Sequence, residues 1–313
     1  MSLPFTVVIP TYERPGTLRR VLDALAAQRD APEFEVVVVD DGSRDETPHL
    51  LETYRPSYPF RFFAQSNGGP AKARNRGVRE ARGERILFLG DDTVPEAKLV
   101  SAHARGHAAH RPYAVAVLGY TTWPRERRVS PFLHHINEYG LQFGYGLIED
   151  SESVPFNFFY TSNISLSRAD LLEAGLFDTT FPNAAWEDIE IAYRMTRRGL
   201  KIVYRPEAVA RHHHEISFVS FRKRQASSGE SAAVFYAKHP ELGGFLGVPE
   251  AMAFERQESL SGGLRAFWAG LAERWELPGG RRAVDRVLRE DYLRGLRRGL
   301  EARNGSIPPK GTT

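Results

Sequence analysis

The chain has 313 residues, a formal net charge of +3, 42% hydrophobic residues, 26% charged residues and no cysteine. This is the composition of a globular protein long enough to bury one large core or two smaller ones. It excludes disordered, collagen-like and disulfide-scaffold classes, and with them thiolate zinc sites and cysteine nucleophiles.

The first hundred residues alternate between short β-branched or apolar runs and helical patterns. Phe5-Thr6-Val7-Val8-Ile9-Pro10 predicts a strand, and residues 16–28 place Leu18, Val21, Leu22, Leu25 and Ala26 at helical spacing. Phe34-Glu35-Val36-Val37-Val38-Val39 predicts a second strand, closed by Asp40-Asp41-Gly42. A helix is expected over 45–54 with Asp45 as its N-cap. A third strand at 61–64, a helix over 70–82, a fourth strand at 85–89 and a helix over 95–110 starting at Pro95 complete the pattern. Strands alternating with helices of this length indicate βαβ units and a mostly parallel sheet flanked by helices. Such sheets bind ligands outside the carboxyl ends of their strands, where Asp40, Asp41, Asp91 and Asp92 fall.

Further on, strands are expected at 113–120, 160–167 and 201–204, and helices over 168–176, 188–198 and 217–239. Residues 123–160 are aromatic-rich and aperiodic. Trp123, Phe132, Tyr139, Phe143, Tyr145, Phe156, Phe158 and Phe159 read as core filling, with at least one expected to meet a ligand. The tail is helical: Leu264, Phe267, Trp268, Leu271 and Trp275, and then Val284, Val287, Leu288, Tyr292, Leu296 and Leu300, keep helical spacing. Residues 255–313 carry an excess of four positive charges, too mild to indicate a nucleic-acid partner. No apolar run spans a bilayer and no secretory signal opens the chain, so a cytoplasmic protein is expected.

Five constellations could carry chemistry. Asp40-Asp41-Gly42-Ser43 is either a capped turn or a set of acceptors for a nucleobase and ribose. Asn67 to Asn75, with Gly68, Gly69, Lys72 and Arg74 ahead of a helix, is either a plain loop or an approach for a diphosphate. It is neither a Walker loop nor a G-x-G-x-x-G fingerprint. Asp91-Asp92 suits a hard divalent cation, with a capped turn as the alternative. Glu187-Asp188 opens a helix, as caps or as a general base. In an extended segment His212 and His214 would share a face, as structural groups or as ligands of a metal or phosphate.

Taken together, over about residues 4–240, these motifs resemble the family-2 glycosyltransferases of the GT-A fold. The resemblance rests on Ile9-Pro10-Thr11-Tyr12-Glu13-Arg14, Val39-Asp40-Asp41-Gly42-Ser43, Gly69-Pro70-Ala71-Lys72-Ala73-Arg74-Asn75, Phe88-Leu89-Gly90-Asp91-Asp92 and Trp186-Glu187-Asp188. It implies a nucleotide-sugar donor, commonly a UDP-sugar, and Mn²⁺ or Mg²⁺. Pro10, Thr11 and Glu13 would line the base and ribose pocket, Asp40 would hydrogen-bond the base, and Asp41 and Gly69 would belong to the same nucleotide-binding set. Arg74 would lie near ribose or diphosphate, and Asp91 beside the metal or facing the ribose. Asp92 would ligate the metal, completed by His212 or His214. Asp188 would be the base, with Glu187 positioning acceptor or donor. Glu13 stands where a residue like Asn is usual, and Gly90 where many relatives carry the first Asp of the DXD motif, which implies a weaker or differently filled metal site.

The expected activity is therefore inverting, metal-dependent sugar transfer to a hydroxyl of a glycan, lipid-linked or other acceptor, in surface-glycan or glycoconjugate synthesis. A catalytic domain is expected over 1–240, its nucleotide-sugar half at about 1–120 and its acceptor half at 121–240. A C-terminal helical extension would follow over 241–313. Those helices would pack on the catalytic domain or make a homodimer contact; the alternative is peripheral contact with an anionic inner-membrane face through Trp268, Trp275 and the arginines around 281–298. Two rivals remain. A nucleotidyltransferase would need a basic Gly-rich loop after the first strand, which Thr11 to Gly16 fits poorly. A catalytically silent sugar-nucleotide or glycan-binding protein is favoured by Gly90 and opposed by Glu187-Asp188.

Overall fold

The structure, a computed structural model, describes residues 3–111, 114–140, 142–254, 267, 270 and 280–304. It divides into two compact units. The first comprises Met1–Arg128, Ile136–Thr179 and Glu187–His214; the second comprises Val129–His135, Thr180–Trp186 and Glu215–Thr313.

The first unit is built on one mixed eight-stranded sheet. Its strands are β1 (Phe5–Thr11), β2 (Phe34–Asp40), β3 (Phe60–Ala64), β4 (Arg85–Leu89), β5 (Thr93–Pro95), β6 (Val115–Thr122), β7 (Asn163–Ser167) and β8 (Lys201–His212), in the spatial order β3-β2-β1-β4-β7-β6-β8-β5. β3, β2, β1 and β4 run parallel, as do β6 and β8. β7 runs antiparallel to both β4 and β6, and β5 antiparallel to β8.

The period of two along each strand divides the apolar residues between the faces. Val7, Ile9, Val36, Val38, Leu87 and Leu89 pack with α1 (Pro15–Ala26), α2 (Thr47–Thr53) and α4 (Leu99–Ala108). Val8, Ile86, Phe88, Leu118, Ile164 and Leu166 pack with α3 (Pro70–Glu80), α6 (Arg168–Glu173) and α7 (Glu187–Thr196). α3 lies so close to the sheet that a Cβ at Gly77 would come within 2.3 Å of Val8 Cγ1. Asn75 on the same helix makes two hydrogen bonds with the backbone of Phe177. Its Nδ2 donates to the carbonyl at 2.7 Å and its Oδ1 accepts from the amide at 2.9 Å.

Three local expectations are corrected. The helix expected from Pro95 begins instead at Leu99. Residues 93–95 form an edge strand, where a proline lacking its N–H costs no ladder bond. The strand expected to stop at Tyr204 continues to His212, with no loop before the histidines. It does so through an irregularity: Gly119 pairs with Arg205 but Tyr120 with Val209, so Pro206 sits where the ladder is interrupted. Asn163 Nδ2 donates to Ala208 O at 2.8 Å and secures that irregular stretch. The helix expected to be capped at Asp45 begins at Thr47, whose N–H still donates to Asp45 Oδ1 at 2.9 Å.

Of the aromatics between 121 and 160, Trp123, Phe132, Phe143, Tyr145, Phe158 and Phe159 are buried, whereas Tyr139 is exposed. In the first unit, Phe143, Tyr145 and Tyr160 form a ring cluster with Tyr120 and Tyr204.

In the second unit, α8 (Phe218–Lys238) crosses a long C-terminal helix, Gly280–Asn304, through small residues. A Cβ at Gly229 would lie 2.0 Å from Tyr292 O, and one at Gly295 would lie 1.9 Å from Ala226 O. Val284, Val287, Leu288, Tyr292, Leu296 and Leu300 are buried as their spacing predicts. Phe267 is exposed; Leu264, Trp268, Leu271 and Trp275 lie outside the described residues. Among the described residues no helix is long and apolar enough to cross a membrane.

Candidate functional site

The carboxyl ends of β1, β2 and β4 gather most of the residues singled out in the sequence. At the first two, Asp40 Oδ1 accepts the Ser43 N–H at 3.0 Å, and Ser43 Oγ accepts the Glu13 N–H at 2.8 Å. Glu13 is exposed and takes the left-handed conformation, with φ +53°; Pro10 is half-buried in β1. Asp41 is turned to a different task. Its carboxylate accepts the N–H of Gly68 and of Gly69, the latter at 2.7 Å, and the side-chain amide of Gln65 at 2.7 Å. It therefore ties down the glycine loop that opens α3. Gly69 has φ +85°, and, its chain neighbours aside, no atom of the described residues lies within 4 Å of where a Cβ would stand.

At the end of β4, Asp91 and Asp92 are both buried. Asp91 Oδ2 accepts the Thr11 hydroxyl at 2.9 Å. Arg14 lies across the pair, with its Nη1 3.3 Å from Asp91 Oδ1 and 2.5 Å from Asp92 Oδ2. Burial, and then the neighbouring charge of Asp92, push the Asp91 carboxyl up to about 6. Burial pushes Asp92 the same way, but the hydrogen bond and charge of His212, with Arg14 and His214, hold it well below the usual carboxylate range.

The extended course of β8 brings both outer histidines to Asp92. His212 Nε2 lies 3.4 Å from Oδ1 and His214 Nδ1 3.6 Å from Oδ2. The two imidazoles stack at 5.5 Å and 12°. Trp123 stacks on His212 at 5.9 Å, and the Gln142 amide lies 3.2 Å from its Nδ1. One ligand atom from each of Asp92, His212 and His214 lies within 4.8 Å of the others, a set able to hold a divalent cation. His213 faces elsewhere: its backbone N–H donates to Asp92 O at 2.7 Å, and its ring lies 3.4 Å from Arg20 Nη1.

The third cluster stands at the start of α7. Glu187 is buried, and its Oε1 accepts from Arg74 Nη1 at 2.9 Å. The Arg74 guanidinium also lies 5.8 Å above the Phe177 ring, which Asn75 holds in place. Arg74 is thus engaged by a carboxylate of the acidic pair. Asp188 Oδ1 accepts the Ile189 N–H at 2.9 Å, and its Oδ2 lies 3.5 Å from both the N and the Oγ1 of Thr161. Burial first, and then Glu187, push Asp188 up to about 7, against the pull of Arg74. A carboxylate poised there can take a proton near neutral pH.

Four participants had no assigned role in the sequence: Arg14, Thr161, Trp123 and Gln142. Arg14 stood inside a quoted motif and Trp123 among the aromatics, but only the fold brings them to Asp92 and His212.

The family described as "Glycosyl transferase family 2" matches residues 6–173. Validoxylamine A glucosyltransferase of Streptomyces hygroscopicus subsp. limoneus is 31% identical over 264 residues, covering 76% of this chain and 57% of that protein. Hyaluronan synthase of Pasteurella multocida is 26% identical, covering 62% of this chain and 23% of that protein. The chain spans 57–64% of the length of the first three curated relatives it matches. Among solved structures, the mannosyltransferase PcManGT of Pyrobaculum calidifontis, in complex with GDP-Man and Mn²⁺, superposes with a TM-score of 0.63 at 20% identity, covering 96% of this chain and 88% of that one. Staphylococcus aureus TarS residues 1–349 in complex with UDP gives 0.56 at 20% identity, covering 98% and 93%. At these identities the likeness is one of fold: a curled α/β sheet flanked by helices.

Proposed function

Because the chain belongs to glycosyl transferase family 2 and has the GT-A fold, we propose that it transfers a sugar from a nucleotide-sugar donor, a UDP-sugar by expectation, to a hydroxyl of a glycan or lipid-linked acceptor. The reaction is an inverting displacement assisted by a divalent cation, on the cytoplasmic side where nucleotide sugars are made. The observation that carries this reading is the convergence of Asp92, His212 and His214 within 4.8 Å at the strand ends.

One carboxylate and two imidazoles fit the cation, and so nitrogen-rich a set suits Mn²⁺ better than Mg²⁺. When bound, the cation offsets the negative charge that builds on the leaving diphosphate. The remaining work falls to the chain. Thr11, Asp40 and the Ser43–Glu13 turn receive the nucleoside, while Asp41 holds the Gly68-Gly69 backbone in shape behind it. Asp188 accepts the proton of the acceptor hydroxyl as that oxygen bonds to the anomeric carbon and the bond to the diphosphate breaks. Glu187 and Arg74 set the charge beside it. The aromatic stretch 121–160 is assigned to the acceptor side. A nucleotidyltransferase is disfavoured by the family match, and a silent binding protein by a carboxylate poised to titrate near neutrality.

Calorimetric titration of UDP, GDP and dTDP, each with Mn²⁺ and with EDTA, on the wild type and Asp92→Ala tests the donor site. Binding of one nucleotide that needs Mn²⁺ and is lost in the variant is the expected result. Failure of all three to bind refutes the donor site. The anomeric configuration of the product tests inversion.

A further inference from the structure

We infer that Arg14 is an exchangeable counter-cation of the Asp91–Asp92 site, which opposes a divalent cation on its own and yields to one that enters with a diphosphate. The inference rests on the proposed cation site and concerns a residue to which that reading gives no role.

Asp92 Oδ2 is claimed twice. It faces His214 Nδ1 at 3.6 Å, and it accepts from Arg14 Nη1 at 2.5 Å. A divalent cation held by that oxygen, at about 2.0–2.6 Å, would stand beside a guanidinium nitrogen. The oxygen has lone pairs enough for both; their like charges, beside two buried carboxylates, oppose it. Among the described residues Arg14 is the only permanently charged cation paired with those adjacent carboxylates. The guanidinium therefore stabilises the pair when no divalent cation is present, and must be displaced when one binds through Oδ2.

The side chain is built to let go. Its side chain is 41% exposed, and its Cα stands at the N-cap of α1, outside the helix proper. A guanidinium leaving a carboxylate pair at the mouth of a donor site has an obvious new partner in a diphosphate, which it can grip through two N–H groups. The cost of displacing Arg14 then falls on a lone cation but is offset when the diphosphate arrives. The two ligands bind cooperatively, and by linkage each raises the affinity of the other by the same factor.

The test measures Mn²⁺ binding by the electron paramagnetic resonance of free Mn²⁺, with and without UDP, on wild type, Arg14→Gln, Arg14→Lys and Asp92→Asn. Without UDP, Arg14→Gln is expected to bind Mn²⁺ about three- to tenfold tighter than wild type, the size of a partly exposed charge-assisted contact. UDP should then tighten Mn²⁺ binding less in Arg14→Gln than in wild type by a similar factor. Arg14→Lys keeps a point charge and should fall between them. In EDTA, Arg14→Gln should melt below wild type, and Mn²⁺ should close the gap. Equal or weaker Mn²⁺ binding by both Arg14 variants, with binding lost in Asp92→Asn, overturns the role of Arg14 and leaves the cation site standing. Mn²⁺ binding that survives in Asp92→Asn overturns the cation site, and the inference with it.

Discussion

Arg74 and Glu187, 113 residues apart in the chain, form a nearly dry ion pair at 2.9 Å, with side chains 13% and 5% exposed. Two further atoms of the pair, Arg74 Nε and Glu187 Oε2, are buried with no hydrogen-bond partner among the described residues. Both residues act on Asp188, with opposite sign: the Glu187 carboxylate raises its proton affinity and the Arg74 guanidinium lowers it.

This opposition makes a directional prediction. The rate of sugar transfer should rise with pH as Asp188 loses its proton, with a midpoint near the value of about 7 to which the carboxyl is pushed. Arg74→Met should move that rising limb to higher pH, and Glu187→Gln to lower pH. Arg74→Met should also cost about 3–5 kcal/mol of stability, since it strands a buried carboxylate. Rate profiles from pH 5 to 9 check the shifts, and urea melts check the cost. A limb that stays in place in both variants would assign the titration to another group.

Asp188→Asn should lower the rate by about 10²–10⁴ while leaving nucleotide binding intact. It should also stabilise the fold at alkaline pH. The folded chain keeps a proton on Asp188 up to about 7, whereas the ordinary value is 3.8. Between those values the folded state binds more protons than the unfolded one, so stability falls as pH rises through that window and stays lower above it. Asparagine removes the penalty. Its melting temperature should exceed that of wild type at pH 8 and match it below about pH 4. Differential scanning calorimetry at both pH values decides.

Gly90→Ala should weaken Mn²⁺ binding. A Cβ there would lie 2.8 Å from Thr93 Oγ1 and 3.0 Å from Asp92 Oδ1. Thr93 is buried and β-branched, so Asp92 is the side that moves. A severalfold loss of affinity, with about 1–3 kcal/mol of overpacking cost, is expected. Unchanged Mn²⁺ binding would show that this corner tolerates the extra atom.

Asp41→Ala should leave the Gly68 and Gly69 N–H groups and the Gln65 amide without their acceptor. Backbone amide exchange at 68 and 69 should accelerate, and nucleotide affinity should drop through loss of shape. Unchanged exchange there would mean that the loop holds without the carboxylate.

The parallel half of the sheet was legible because β1, β2 and β4 are near-continuous apolar runs, a pattern local to each run. His212 and His214 were legible as a pair sharing a face because alternation is also local. The antiparallel insertion of β7 between β4 and β6 was not legible, since its five residues, Asn163–Ser167, give no sign of strand direction. Nor was the edge strand at Thr93–Pro95, where the proline read as a helix start. The partners of Arg14 and Arg74 depend on contacts 77–113 residues away, which spacing along the chain cannot encode.

The irregular pairing of β8 carries a constraint on length. Between Arg205 and Val209 the strand accommodates extra residues opposite a single step of β6, from Gly119 to Tyr120. His212 then pairs with Thr93, directly beside Asp92. Side chains on a strand reverse face with every residue. Losing or gaining one residue in that stretch would turn His212 and His214 away from Asp92 and offer it His213 or a neighbour instead, whereas a change of two would restore the side. Ala208 in that stretch is buried and its carbonyl takes the Asn163 amide, so the number of residues there is fixed by packing as well as by the side that His212 must face.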